Sequence, residues 1–247
     1  NDIIKVRIGQ FYGIEINDFA VTVAKTALWI AESQMMKKTE DVVHRDLDFL
    51  PLKSYTNIVE GNALRVDWKA VVPADELKYI MGNPPFVGAR LMSAQQKEDL
   101  LCVFGPKWKN VGNLDYVSGW FKKTVDTIRG TTTRAALVAT NSVNQGESVS
   151  ILWEPLLKSG VHIDFAYRTF RWDSEASLKA HVHCVIVGFS TSTESGQDKF
   201  IYTNGLKAKA SHINAYFIDA PDVFVGSRTK PVSSNAPEMM FGSMAND

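Results

Sequence analysis

The chain has 247 residues, 45% of them hydrophobic and 22% charged, with 27 basic residues balanced by 27 acidic ones. That is enough to bury a full core as one large domain or one domain plus an appendage, and the zero net charge gives no overall basic field for nucleic acid. No apolar run approaches the roughly 18 residues of a membrane span, and the two cysteines, Cys102 and Cys184, are too far apart for a paired metal or redox motif, which fits a reducing cytoplasm.

The first residues, NDIIKVRIGQ, are not a signal peptide and read as the middle of a longer protein. QFYGIEI (Gln10–Ile16) is a short apolar run of β-formers, so a buried strand. A helix follows. Asn17 is its N-cap and Asp18 suits the first turn. Phe19, Val23, Ala24, Ala27, Leu28, Ala31 and Met35 recur at helical spacing, and Lys37 and Lys38 suit the last turn.

After a polar loop, Asn57–Gly61 reads as a strand ending in the turn GNAL, and Tyr79–Gly82 as a strand stopped by NPPF. Pro has no N–H for a sheet ladder, so the strand ends at Asn83 and a stiff loop begins. LDYVSGWFKKTVDTI places Tyr116, Trp120, Val125 and Ile128 near one helical face. Arg134–Ala139 is a strand, and SVSILWEPLLKSG a helix kinked or shortened by Pro155. His162–Arg168 and His181–Phe189 are two more strands. After Ser190 the texture turns polar and loop-like, so the core is expected to end there. Alternation of strand and helix predicts an α/β layer fold with a mostly parallel sheet.

In such sheets ligands bind at the carboxyl ends of strands. Three predicted ends carry Glu15, Asn62 and Asn83. Each alone has an ordinary reading: a helix-terminal charge, a turn asparagine, a turn opener. Together they outline one crevice. His181 and His183 share a strand face, but no third ligand is visible, so packing is favoured over a metal site. No dinucleotide fingerprint, phosphate loop or serine elbow is present.

GNPPF at Gly82–Phe86 resembles the catalytic signature of amino-group DNA methyltransferases. FYGIEINDFAVTVAKTALWI resembles the acidic-strand segment of that family, GNAL its next cofactor motif, and AALVATNSVNQG with Arg168–Trp172 and His181–Phe189 the later strands of the type IIG/IIL restriction-modification branch. The resemblance implies a Rossmann-like class I methyltransferase sheet over residues 1–190. Residues 191–247 would be a linker and the start of a DNA target-recognition region, with Arg228 and Lys230 as phosphate contacts.

It also implies S-adenosylmethionine-dependent methylation of N6 of a flipped adenine in DNA, with no metal. Asn83 and the Pro84 carbonyl would accept the amine hydrogens, Pro85 would stiffen the loop, and Phe86 would stack on the base. Glu15 would hold the cofactor ribose, Ile16 its adenine ring, Asn62 the adenine amine and the Ala63 N–H a ring nitrogen; many members carry Asp at the position of Asn62. Two alternatives stand beside this: methylation of a protein glutamine, which also uses an NPP[YF] loop, and a non-catalytic domain that only binds DNA or a partner. The family's Gly-rich first cofactor motif is not in the sequence. The chain is therefore expected to be a fragment lacking the central first strand, unable to bind the cofactor well. Its sheet gap would be filled by Ile3–Ile8 or closed by edge-strand self-association.

Overall fold

The computed structural model describes residues 5–44, 57–73, 75–172, 182–191, 198–226 and 233. The expected α/β architecture is present as two pieces of sheet. The smaller is β1 (Gly13–Glu15) paired in parallel with β2 (Ile58–Glu60), with Glu15 opposite Glu60. The larger has six strands in the order β3-β4-β6-β5-β7-β8. Its members are β3 (Tyr79–Gly82), β4 (Arg134–Thr140), β5 (His162–Trp172), β6 (Val182–Ser190), β7 (Lys199–Thr203) and β8 (Leu206–Ala210). β3 and β4 are parallel, β6 is antiparallel to both of its neighbours, and β7 runs parallel to β5.

Strand β1 is shorter than expected. Gln10 belongs to a 3-10 turn, Ile8–Gln10, in which its side chain accepts from the Arg7 N–H at 2.7 Å. Residues 5–10 form no strand, so the Lys5–Ile8 part of the segment expected to fill the sheet gap does not do so, and Ile3 and Ile4 lie outside the described residues. Helix α1 (Asp18–Val43) starts as predicted, with Asn17 Oδ1 accepting from the Ala20 N–H at 2.9 Å, but it continues past Lys38. Its apolar stripe is not buried: only Val21 is, whereas Phe19, Val23 and Met35 are exposed. The short β1–β2 pair is too narrow to cover the face of a 26-residue helix.

The six-stranded sheet carries the core. Leu137 and Ala139 of β4, Val185, Val187 and Phe189 of β6, and Ile163 and Ala166 of β5 point to one face and are buried. Beyond the short helix α2 (Trp68–Val71) and α3 (Ala94–Phe104) in the chain, helix α4 (Ser118–Ile128) and the segment Val149–Trp153 pack there. Phe121 stacks on Phe189 with ring centroids 5.6 Å apart, and Trp153 meets both edge-on. The Trp153 indole is satisfied by the Val143 carbonyl at 2.8 Å.

Pro155 shortens its helix as expected. α5 (Gly146–Ser148) runs into π-helical Val149–Trp153 and then α6 (Glu154–Lys158), with Pro155 in the first turn of α6. Pro155 has no N–H for the Ile151 carbonyl four residues back. The Trp108 indole donates to that carbonyl instead, at 2.9 Å.

The core does not end near Ser190. β7 pairs with β5, and β7 and β8 form a hairpin through Asn204 and Gly205, both at positive φ. Ile213, Ala215 and Phe217 are then buried in the same core, Phe217 against Trp153. The β5–β6 pair is antiparallel as expected, but it lies inside the sheet and not at its edge. His181, Arg228 and Lys230 lie outside the described residues; His183 is exposed, not packed.

Candidate functional site

The carboxyl ends of β1, β2 and β3 deliver the predicted residues. Register pairs Glu15 with Glu60, and the Gly61 N–H donates to the Glu15 carbonyl at 2.8 Å, so Glu15 and the Asn62 turn sit side by side. Glu15 is half-buried, and its Oε1 accepts from the Asn17 N–H at 2.9 Å. Its Oε2 has no partner among the described residues. Ile16, beside it, is 67% exposed. A carboxylate acceptor next to an open apolar surface suits a ribose and a flat ring.

The turn after β2 is tightly built. Asn62 Oδ1 accepts from the Leu64 N–H at 2.9 Å, and its Nδ2 donates to Asp99 Oδ2 at 2.8 Å. The Asn62 carbonyl accepts from Arg65 and Val66, and that of Ala63 from the Trp68 indole at 2.8 Å. Leu64 is buried against Leu100 and Gly119: a Cβ added to Gly119 would lie 2.9 Å from both leucines. Lys123 Nζ donates to the Leu64 carbonyl at 2.8 Å, and burial pushes that ammonium below its ordinary pKa.

Asn83 leaves β3 exposed, Pro84 is buried, Pro85 is exposed and Phe86 is half-buried. The loop they begin is held from behind by two consecutive residues. The Tyr116 N–H donates to the Val87 carbonyl and the Ala89 N–H to Asp115 Oδ1, both at 2.9 Å. β4 runs three residues further than the end of β3, since Gly82 pairs with Leu137, so Val138–Thr140 flank the loop. Trp120 meets the Tyr116 ring edge-on at 5.1 Å. No direct hydrogen bond joins Glu15 to the Asn83–Phe86 loop among the described residues.

Sequence reasoning missed Asp99. It sits on α3 (Ala94–Phe104), is 1% exposed, and accepts from four side chains. Arg65 Nε at 2.6 Å and Gln95 Nε2 at 3.3 Å reach Oδ1; Asn62 Nδ2 and the Tyr116 hydroxyl, both at 2.8 Å, reach Oδ2. Burial alone would raise the Asp99 carboxyl, but these donors outweigh it and hold it below the usual carboxylate value. The hydrogen bond to Asp99 raises the Arg65 guanidinium further. Burial, then the bond to Asp99, pushes the Tyr116 phenol up to about 12. A signal for α3 was present in the sequence: Ser93 and Gln96 form a capping box, with Ser93 Oγ accepting from the Gln96 N–H and Gln96 Oε1 from the Ser93 N–H.

Among the described residues no group of three His, Cys, Asp or Glu side chains could hold a metal ion, and no helix is long and apolar enough to cross a membrane.

Residues 1–203 match the family model described as the MmeI DNA-methyltransferase domain. The chain is 44% identical over 245 residues to DNA methyltransferase A of Bacillus subtilis (strain 168), covering 98% of this chain and 28% of that protein. It is also similar to the type IIL restriction-modification enzyme MmeI, solved in complex with DNA, with a TM-score of 0.87 and 42% identity over 94% of this chain and 32% of that one. The chain thus spans roughly a third of the length of these relatives.

Proposed function

Because the chain belongs to the MmeI DNA-methyltransferase domain family, we propose that it is the catalytic part of an enzyme that methylates N6 of adenine in DNA. The observation that carries this reading is the Asn83–Phe86 loop at the carboxyl end of β3, rigid through two prolines and anchored by Asp115 and Tyr116. S-adenosylmethionine would supply the methyl group as a sulfonium.

The residues present fit that cofactor. Glu15 offers a carboxylate oxygen for ribose hydroxyls and Ile16 an open apolar surface for the adenine ring. Asn62, whose Nδ2 is committed to Asp99, offers the second lone pair of Oδ1 to the adenine amine, and the Ala63 N–H follows for a ring nitrogen.

On the base side the chain's task is to sharpen a poor nucleophile. An exocyclic amine delocalises its lone pair into the ring. Asn83 Oδ1 and the Pro84 carbonyl accept its two hydrogens and draw the nitrogen toward tetrahedral geometry. The prolines hold both acceptors still, so little reorganisation is left for the transition state. Phe86 stacks on the base after it is flipped from the duplex, which costs a few kcal/mol. Asn at position 83 favours adenine; N4-cytosine enzymes more often carry Ser there.

Protein glutamine is the alternative substrate for an NPPF loop. The similarity to a restriction-modification enzyme solved with DNA favours DNA. The test is the full-length protein with tritiated S-adenosylmethionine, offered duplex DNA and a release-factor-like protein. Label is expected in N6-methyladenine, and Asn83→Ala is expected to lower turnover about 100-fold or more. Label only in protein, or in cytosine, rejects the assignment.

A further inference from the structure

We propose that Asp99 is a positioning residue that couples the cofactor-side turn at Asn62–Leu64 to the base-side loop at Asn83–Phe86. This rests on the two half-sites assigned above and adds what joins them.

The coupling is visible atom by atom. The Asn62 amide and the Tyr116 phenol donate to the same oxygen, Asp99 Oδ2. Asn62 heads the cofactor-side turn. The main chain of Tyr116 holds Val87 of the base-side loop, and its neighbour Asp115 holds Ala89. The two turns leave different sheets, β2 from the small one and β3 from the large one, and no hydrogen bond joins these two strands among the described residues. Asp99 is therefore a point at which a shift in one turn reaches the other.

The other carboxylate oxygen explains why the point is stiff. Arg65 and Gln95 occupy Oδ1, so the group cannot rotate without breaking a charged hydrogen bond. A carboxylate kept ionised is acceptor-only. It forces the nitrogen of the Asn62 amide inward and its oxygen toward the Leu64 N–H and the proposed cofactor side. Tyr116 must likewise donate to it.

A buried ion pair is a poor device for stability alone, since well-packed apolar groups often serve as well or better. Four polar side chains converging on one 1% exposed carboxylate are better suited to fixing orientation.

The test uses the full-length protein with Tyr116→Phe, Asn62→Ala and the double variant. Cofactor affinity is read by equilibrium dialysis with labelled S-adenosylmethionine, the methyl-transfer step by single-turnover assay on DNA, and folding by melting temperature. Tyr116→Phe keeps the ring and removes one bond to Asp99. It is expected to stay folded, with a melting temperature lowered by the loss of that one buried hydrogen bond, and to weaken cofactor binding about tenfold although Tyr116 lies on the base side. The double variant is expected to be no worse in cofactor binding than the more affected single variant. Cofactor affinity of Tyr116→Phe within twofold of wild type, or strictly additive losses, overturns the coupling. Wild-type protein that binds no cofactor and labels no DNA overturns the functional reading, and the coupling falls with it. Binding and labelling that persist while Tyr116→Phe is silent overturn the coupling alone.

Discussion

The contact between Asn62 and Asp99 makes an amide, and not a carboxylate, the group that fits at position 62. Asn62→Asp would replace a donor 2.8 Å from Asp99 Oδ2 with a second acceptor of like charge. The lost hydrogen bond to a charged group is worth about 1.5–3 kcal/mol. Two carboxylates about 4 Å apart at an effective dielectric near 20 repel by about 4 kcal/mol, unless one takes up a proton. Arg65 already serves Asp99, so no unused cation stands ready to absorb the new charge. The two terms add to an upper bound of about 5.5–7 kcal/mol at pH 8, and rotation of the new carboxylate away from Asp99 toward solvent brings the expected loss down to about 2–4 kcal/mol.

The sign with pH is opposite to that of an ordinary paired aspartate. The new carboxyl has a folded-state pKa above its unfolded value. The folded state therefore gains a proton as pH falls, and the penalty shrinks. Scanning calorimetry of wild type and variant at pH 8 and pH 5.5 measures the difference. A deficit in melting temperature that is large at pH 8 and smaller at pH 5.5 is the expected result. Equal melting temperatures at pH 8, or a deficit that does not shrink, would refute the reasoning.

Three further outcomes follow from other contacts. Asp99 itself is held below the usual carboxylate value, so its contribution is present above its unfolded pKa and lost as pH falls below about 4; in acid titrations followed by circular dichroism, Asp99→Asn should show a flatter acid limb than wild type from a lower neutral plateau. Gly188→Ala would place a methyl 2.1 to 2.8 Å from ring carbons of Phe165, forcing the ring off the strand; denaturant midpoints should report a loss of about 1–3 kcal/mol. Gly205, at φ 79° in the β7–β8 turn, should lose about 1 kcal/mol or more on change to Ala, measured the same way, whereas Gly9, with nothing within 4 Å of an added Cβ and no positive φ, should tolerate it.

Local chemistry was legible in the sequence wherever one residue type has only one physical use. Asn17 reads as an N-cap and is one; the two prolines after Gly82 stop β3 where they must. Pro155 breaks its helix and leaves a carbonyl that a tryptophan 43 residues away has to satisfy, and that second half could not be read. Two local signals were present and passed over: the Ser93–Gln96 capping box that opens α3, and Asn204-Gly205, a strong hairpin dipeptide. Missing the second led to a core boundary drawn near Ser190, because a polar stretch before two short strands resembles a linker.

Asp99 belongs to a different class. Its donors lie 37, 34, 17 and 4 residues away in sequence, and on α3 it is one charge among several. A helical charge is ordinarily read as solvated, and only the fold brings an amide, a guanidinium and a phenol to its two oxygens. The residues that would touch cofactor and base carry recognisable motifs because their chemistry fixes their type. The residue that would hold those motifs in register carries none, because any acceptor placed at that point by the packing of α3 against α4 would meet the same need.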